Sequence, residues 1–237
     1  MREAGRIVAV TLLEIQDHIR PGISTAELDA IAERSAIAMG ASPAFKGYRG
    51  FPASLCASVN SEIVHGIPSS RRILNEGDIV SLDFGVVFQD YYGDSAITVG
   101  VGSITEEAQR LLQTTKESLE AAIRFARVGN RLSDIGHAVQ SHAETHGFSV
   151  VRQYVGHGIG RHMHEAPQIP NFGAPHKGPV LKPGMVLAIE PMVNTGTDQT
   201  VVLDDKWTVV TKDGGLSAHF EHTVAVMSGE PQILTLP

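Results

Sequence analysis

Apolar residues recur along the chain with two different periods. The longer period, typical of helices, occurs in two regions, and the shorter period, typical of strands, occurs between these regions and after the second one. The predicted segments are an amphipathic helix to about Ile19, a helix from Ser24 to Gly40, strand-like runs from about Ser54 to Val99, a helix from Thr105 to about Arg127, a helix from Ser133 to Gly147, and mostly β-structure thereafter. The second helix has the clearest start, because Ser24 and Glu27 have the spacing of a capping box.

The second half of the sequence repeats the first at one constant offset, the shift that takes Gly22 to Gly129. The same shift takes Gly40 to Gly147 and Asp83 to Glu190. One unbroken offset thus aligns turn glycines, helix ends and an acidic residue. We predict a single domain, 1–237, made of two halves (roughly 1–105 and 106–237) that pack about a pseudo-twofold axis. Each half would contain two helices followed by a β-hairpin.

Four acidic residues lie inside apolar strand-like runs, where an unpaired carboxylate is strongly disfavoured. They are Asp83, Asp94, Glu190 and Glu221. Too few lysines or arginines flank these runs to pair with them, and a glycine-rich segment around His157 lies between the two pairs. This combination indicates a metal centre in preference to structural ion pairs.

The spacing of the first pair supports a metal centre. Asp83 and Asp94 are 11 positions apart, with a polar turn near Gln89 and Asp90 between them. In an antiparallel hairpin we expect the two acids to lie opposite each other on one face, with Cβ atoms roughly 4.5–5.5 Å apart. Like charges at that distance repel, and two metal ions about 3.5–4 Å apart would turn the repulsion into coordination.

Composition excludes several classes of protein. The chain has 237 residues, of which 42% are hydrophobic and 19% charged, and its net charge of −7 argues against a duplex nucleic-acid binder. A lone cysteine, Cys56, permits no intrachain disulfide and favours a reducing compartment. The sequence shows no apolar run of ~18 residues and no signal-peptide pattern at its start. We therefore expect a cytoplasmic protein with no membrane and no specific nucleic-acid partner.

In the order of these acids and the histidine, the chain closely resembles the type I methionine aminopeptidases, over essentially its whole length. The matching motifs are Val59–Pro68 (VNSEIVHGIP), Gly93–Ala96 (GDSA), Gly156–Arg161 (GHGIGR), His164–Pro167 (HEAP), Ile189–Met192 (IEPM), Trp207–Asp213 (WTVVTKD) and Leu216–Thr223 (LSAHFEHT). The resemblance implies the α+β pita-bread (creatinase/aminopeptidase-like) fold, with two related halves around a central antiparallel sheet and helices on its outer face. Two positions depart from the family pattern, Met163 where phenylalanine is common and Val64 where cysteine is frequent.

The resemblance also implies a dinuclear metal centre. Asp94 and Glu221 would bridge two divalent ions, Asp83 would chelate one of them, and His157 with Glu190 would complete the other. Four carboxylates and one imidazole suit Mn²⁺, Fe²⁺ or Co²⁺ about as well as Zn²⁺, so the identity of the metal is left open. A bound water with its pKa lowered toward ~7 would supply a bridging hydroxide, with Glu190 as general base.

The remaining site residues follow from the same motifs. By resemblance, His164 would contact the scissile carbonyl oxygen and His65 would contact the substrate near the scissile nitrogen. The pocket for the methionine side chain would be formed by Tyr48, Phe51, Cys56 and Trp207, with Phe45 and Met163 as neighbours. A Cys-His nucleophile is the alternative for Cys56, but its apolar setting favours a pocket-lining role.

Several other histidines have less specific interpretations. His142 and His146 have the i, i+4 spacing of a metal site, but their polar neighbours favour a solvated helix face. His162, His219 and His222 lie beside proposed ligands in the sequence and are candidates for supporting contacts to them.

The leading function is removal of the initiator methionine from nascent proteins whose second residue is small. Its partners would be the N-terminal methionine of nascent peptides and, transiently, the ribosome, and we expect a monomer. One rival is a proline-specific peptidase of the same fold, which would usually carry an extra N-terminal domain and lack the Trp207 segment. The other is an inactive binding protein for peptides or nucleic acid, which would be expected to lose metal ligands.

Overall fold

The computed structural model describes all 237 residues. Its helices are α1 (Arg2–Asp17), α2 (Thr25–Ala38), α3 (Glu106–Phe125) and α4 (Leu132–Thr145), with one 3₁₀ turn at Tyr48–Gly50. Its strands are β1 (Ser42–Pro43), β2 (Cys56–Val59), β3 (Glu62–Val64), β4 (Ile79–Phe88), β5 (Tyr91–Gly100), β6 (Ser149–Val150), β7 (Gly156–Gly158), β8 (Glu165–Ile169), β9 (Val186–Ile189), β10 (Met192–Asn194), β11 (Thr200–Val202), β12 (Val209–Thr211), β13 (Ser217–His219), β14 (Glu221–Ala225) and β15 (Gln232–Ile233). The helices are too short or too polar to serve as membrane spans.

The starts of α2 and α3 are set by side chains that satisfy free backbone N–H groups. At α2, the Ser24 hydroxyl accepts a hydrogen bond from the Glu27 N–H at 3.3 Å, and the Glu27 carboxylate accepts one from the Ser24 N–H at 2.9 Å. At α3, the Thr105 hydroxyl accepts a hydrogen bond from the Ala108 N–H at 3.2 Å. The predicted capping box and the predicted cap at Thr105 are therefore confirmed.

A nine-stranded sheet, antiparallel throughout, forms the centre of the molecule. Its main path runs β1-β4-β5-β14-β9-β7-β8, with β2 beside β4 and β15 beside β14. Along β4, alternate side chains such as Leu82 and Phe84 pack with α1 and α2 in one core cluster, so Asp83 between them faces the other side of the sheet. A second core cluster joins α3 and α4 to β9 and β14. The helices therefore bury one face of the sheet and leave the opposite face for the acids.

The two halves make equivalent local contacts at the offset found in the sequence. The matching bridges are Ser24 with Ile73 and Arg131 with Val180. The Gly22 N–H donates to the Leu74 carbonyl at 2.8 Å, and the Gly129 N–H donates to the Leu181 carbonyl at 3.3 Å. These pairs support the two-half organisation, while the domain boundaries stay a prediction.

The hairpin of β4 and β5 corrects one expectation. Its two-residue turn, Gln89–Asp90, has φ values of 48° and 65°, typical of a type I′ turn. That turn fixes a register in which Asp83 lies opposite Ala96, and Asp94 lies opposite Gly85. The two acids therefore share a face but are diagonal neighbours, and the prediction that they are directly opposed is wrong. Diagonal side chains are roughly 7–8 Å apart, which leaves room for cations between them.

The second hairpin, of β9 and β14, carries the other two acids at its end. His222 lies opposite Ile189, so the same register continued by one residue brings Glu190 opposite Glu221. The segment between these two acids does not join the nine-stranded sheet. It forms two smaller hairpins, β10 with β13 and β11 with β12. The turn between β11 and β12 carries Trp207.

We predict that Gly93→Ala destabilises the protein by about 1–3 kcal/mol, the usual cost of overpacking a core. A Cβ atom at this position would lie 2.8 Å from backbone atoms of Ala4 and Gly5 in α1, and backbone cannot move aside as a flexible side chain can. Chemical denaturation of the purified variant measures the change. Gly229→Ala is the control, because its Cβ would meet no atom within 4 Å. Equal stability of the two variants would contradict the close packing of α1 on β5.

Candidate metal centre

The five predicted metal ligands converge from five strands or strand ends on the face of the sheet opposite the helices. Asp83 lies on β4, Asp94 on β5, His157 on β7, Glu190 directly after β9, and Glu221 at the start of β14. The strands are neighbours in the sheet, which is why residues so far apart in sequence meet. All five line one cavity.

The distances within this group are those of a coordination site. The His157 Nε2 atom lies 3.6 Å from a Glu190 carboxylate oxygen and 4.0 Å from an Asp94 oxygen. Ligand atoms of Asp94, His157 and Glu221 all lie within 4.8 Å of one another. The His157 Nδ1 atom lies 2.9 Å from the Gly158 carbonyl, so it donates its proton there and leaves the Nε2 lone pair free for a metal.

The carboxylates have no cation of the protein to neutralise them. Oxygen atoms of Asp83, Asp94 and Glu221 are buried without any hydrogen-bond partner. No lysine or arginine forms an ion pair with any of the four acids. Because buried charges must be paired or must coordinate metal, the residues present fit a divalent metal centre.

Burial also changes the proton affinity of these groups. It raises the pKa of Asp94 to about 7 and is the largest cause that raises the pKa values of Asp83, Glu190 and Glu221 well above their usual range, with neighbouring carboxylates as the second cause. A carboxylate must lose its proton to bind a metal, so protons and metal ions compete for this site.

The cavity that holds the ligands extends into an apolar pocket and encloses about 150 Å³. Phe45, Phe51, Cys56 and Met163 form a buried cluster in its wall, and Tyr48 and Trp207 pack against that cluster. Phe51 and Trp207 meet edge to face with ring centroids 5.2 Å apart. Every residue predicted for the methionine pocket therefore lines the same cavity as the metal ligands, including Phe45 and Met163.

The thiol of Cys56 is fully enclosed in this wall. Burial is the main cause that raises its pKa well above the usual range, with the carboxylate of Asp83 as the next cause. A thiol held in its neutral form is a poor nucleophile. The structure therefore favours the pocket-lining interpretation of Cys56.

His65 and His164 also line the cavity, beside the ligands. The His164 ring lies 4.2 Å from the His157 ring, centroid to centroid, and its Nδ1 atom is 2.9 Å from the Tyr48 hydroxyl. Burial lowers the pKa of each of the two histidines to about 4, so both are neutral at pH 7.

Two residues near the metal centre are not among the predicted site residues. Arg49 lines the cavity in a left-handed conformation with φ of 50°, and its guanidinium carbon lies 5.3 Å from the centre of the Tyr48 ring. His219, a candidate only for supporting contacts, is 2% exposed, and its Nε2 atom lies 3.8 Å from a Glu190 oxygen. Neither ring nitrogen of His219 has a hydrogen-bond partner. The acidic group that its Nε2 atom faces is the Glu190 carboxylate. Only the pairing of β13 with β10 places it there.

The other two histidines beside ligands have different surroundings. The His222 Nδ1 atom lies 2.8 Å from the Thr235 hydroxyl, so its ring is held by the chain terminus. His162 is exposed, and its backbone N–H donates to Glu165 at 2.8 Å. Among the three, His219 has the position of a supporting group for a ligand.

Comparisons with known proteins agree with this geometry. A model of the metallopeptidase family M24 matches residues 1–228. Methionine aminopeptidase 1 of Bacillus subtilis is 57% identical over 235 residues, which cover 99% of this chain and 94% of that protein. The crystal structure of a methionine aminopeptidase from Thermotoga maritima superposes with a TM-score of 0.99 at 46% identity, covering 100% of this chain and 95% of that one. A prolidase from Pyrococcus furiosus shares the fold alone, with a TM-score of 0.78 at 23% identity over 63% of its own length.

The chain therefore belongs to metallopeptidase family M24. Within that family it groups with the methionine aminopeptidases, its full-length relatives. The predicted resemblance and the α+β pita-bread fold are confirmed. The centre is one for divalent metal ions, and the predicted ligands, four carboxylates and one imidazole, leave their identity open.

We predict that the affinity of the centre for Mn²⁺ rises by at least about tenfold from pH 6 to pH 8, because Asp94, with a pKa of about 7, must lose its proton to bind, and the other three carboxylates also have raised pKa values. Titration calorimetry in buffers of different ionisation enthalpy measures the dissociation constant and the protons released. In the ion-free chain, the four carboxylates should make the opposite contribution to stability. Their raised folded-state pKa values make this contribution to the free energy of unfolding fall as pH rises from about 4 through about 7, whereas the lowered pKa values of His65 and His164 make theirs rise over the lower part of that range. A dissociation constant that does not change with pH would contradict this competition.

A second prediction concerns His219. Replacing it with leucine removes the polar group that faces Glu190 and should weaken metal binding by about 10–100-fold, as loss of a supporting partner of a ligand usually does. His219→Gln should retain most of the affinity, because the glutamine amide nitrogen can occupy the position of Nε2. Equilibrium dialysis of both variants with Mn²⁺ measures the difference. Equal affinities for the leucine and glutamine variants would exclude a role for the Nε2 proton.

Proposed function

We propose that this chain removes the N-terminal methionine from nascent proteins whose second residue is small, by metal-dependent hydrolysis of the first peptide bond. The observation that supports this most directly is the single cavity that contains both the predicted five-ligand centre and an apolar pocket. A hydrolytic centre beside a pocket for one side chain suits an enzyme that cleaves after one residue. Its relatives of matching length are methionine aminopeptidases.

Asp83, Asp94, His157, Glu190 and Glu221 would together hold two divalent ions. When bound, such ions lower the pKa of a bound water and polarise the peptide carbonyl. The protein contributes a dry and rigid frame for this chemistry, since Asp94, His157 and Glu221 are all buried.

Glu190 is the residue we assign as general base. One of its oxygens lies 3.6 Å from the His157 Nε2 atom and the other lies 3.8 Å from the His219 Nε2 atom, so the carboxylate sits between two imidazole rings. In the ion-free site, burial raises the pKa of Glu190 above that of an exposed glutamate, so this carboxylate has a high affinity for a proton. It can therefore take a proton from the attacking water and hold it for the leaving amine.

His164 and His65 are assigned to the peptide bond itself. With the Tyr48 hydroxyl as donor to Nδ1 of His164, the ring proton of His164 lies on Nε2 and can be donated to the scissile carbonyl oxygen. His65 is held in a left-handed conformation with φ of 61°, with its ring against Trp207 and Tyr154. Its position in the cavity wall supports the assignment of His65 to the scissile nitrogen.

The apolar wall supplies selectivity for methionine. The part of the cavity wall formed by Phe45, Phe51, Cys56 and Met163 is apolar, so it accepts an unbranched apolar side chain and itself provides no partner for a charged one. Contact of a thioether with aromatic rings contributes roughly 0.3–1.5 kcal/mol in addition to burial. Trp207, at the edge of this wall, comes from the segment between Glu190 and Glu221.

The two rival functions have less support. The likeness to prolidases is one of fold alone, and Trp207, which a proline-specific peptidase does not require, lines the pocket. An inactive binding protein would not need all five ligands to converge in one cavity.

We further propose that the enzyme works as a cytoplasmic monomer that contacts the ribosome transiently.

We predict that His164→Ala lowers kcat on a peptide such as Met-Gly-Met by about 10²–10³-fold, the usual loss when one donor to a developing oxyanion is removed. His162→Ala is the matched control, because this neighbouring histidine does not line the cavity, and it should retain activity within about twofold. Release of methionine by the metal-loaded enzyme is the measurement.

The same assay tests the substrate class. Met-Gly peptides should be cleaved faster than Leu-Gly, Ala-Gly or Xaa-Pro peptides. Equal rates for methionine- and alanine-initiated peptides would rule out the pocket, and preference for Xaa-Pro would favour the prolidase alternative. A loaded enzyme that releases no methionine would favour the binding-protein alternative.

A further inference from the structure

A group of three potential metal ligands lies outside the cavity, on the exposed side of the second helix pair. Glu117 comes from α3, and His142 and His146 come from the last turn and the C-cap of α4. Their ligand atoms all lie within 4.8 Å of one another. We call these three residues the helix-pair cluster.

The two histidines of the cluster are held side by side. Their i, i+4 spacing brings them to one face of the helix, with ring centroids 4.5 Å apart and ring planes tilted by 31°. The His146 Nδ1 atom lies 2.7 Å from the His142 carbonyl and donates its proton there. This leaves the Nε2 lone pair of His146 without a proton, which is the state that a metal requires.

The carboxylate of the cluster is positioned by two contacts. One Glu117 oxygen accepts a hydrogen bond from the Gln113 amide at 2.6 Å, and the other lies 3.2 Å from the His142 Nε2 atom. The bond from Gln113 is the largest cause that lowers the pKa of Glu117, so the group is ionised at neutral pH. Arg110 lies nearby and donates to the His146 carbonyl at 3.3 Å, which fixes the end of α4.

We propose that Glu117, His142 and His146 form a second metal site, separate from the catalytic centre, that binds one Zn²⁺-class divalent ion and links α3 to α4. Two imidazoles and one carboxylate are a set that binds Zn²⁺ with a water in the fourth position. The site is exposed and has the Arg110 cation beside it, so its affinity should be in the micromolar range, weaker than that of the buried centre.

The first half of the internal repeat has the same helix pair without this cluster, so the fold does not require it. The shift that relates the two halves places its members on Val10, Ser35 and Met39 in the first half. Those residues offer no carboxylate and no imidazole. Polar residues are common on helix faces, but two histidines and a glutamate in contact across two helices are found only in the second half.

The test is the number of Zn²⁺ ions that the chelator-treated full chain binds, measured by equilibrium dialysis with metal analysis. The wild-type chain should bind one ion more than Glu117→Gln or His146→Ala, with a dissociation constant below about 100 µM. The ions of the buried centre should keep their affinity within about twofold in both variants. His137→Ala is the control, because it removes an exposed histidine from the same helix outside the cluster and should keep the extra ion.

A second measurement separates binding from folding defects. Zn²⁺ added after the buried centre is filled should raise the Tm of the wild-type chain and of His137→Ala, but not that of Glu117→Gln. His142→Gln, confirmed as folded by circular dichroism, should also lose the extra ion. Asp94→Asn should lose ions of the buried centre and still bind the ion of the cluster. Equal stoichiometry and affinity in the wild type and the cluster variants would overturn the proposal, and so would the absence of an extra ion up to about 100 µM free Zn²⁺.

Discussion

Four buried or partly buried carboxylates on one face of an apolar sheet are the constraint on which this structure depends. Oxygens of three of them have no hydrogen-bond partner, none of the four pairs with a lysine or arginine, and burial raises the pKa values of all four. Without cations the site would therefore retain protons, and with cations it becomes a coordination centre. The requirement for metal thus follows from electrostatics in a low-dielectric setting, before any comparison with known enzymes.

The two faces of the sheet have different roles. One face packs against the helices and stabilises the fold, and the other face carries the predicted metal ligands. The period of two along β4 sends Leu82 and Phe84 to the helices and Asp83 to the site. The same division holds in the second half, where α3 and α4 pack against β9 and β14, which border Glu190 and Glu221. Rigid packing on one face therefore fixes the ligands on the other, so the geometry of the centre does not depend on mobile loops.

Much of the candidate site could be predicted from sequence because acids in apolar strands are rare and their motifs are specific. All the predicted ligands and pocket residues line one cavity. The diagonal relation of Asp83 and Asp94 could not be predicted in this way, because residue parity defines a shared face while the turn geometry defines the register. Arg49 could not be predicted either, since an arginine beside a glycine in a turn carries no pattern that indicates a cavity.

The sequence by itself determined the helix starts, the alternation that separates core from site, the internal repeat and the chemistry of the ligands. These properties are carried by capping residues, periodicity and residue type. Only the tertiary structure decided that His219 faces Glu190 and that Glu117 meets His142, because both contacts join residues on elements that pair or pack across a long separation in the chain. Pairing register and helix packing are set by the whole core, and no short stretch of residues encodes them.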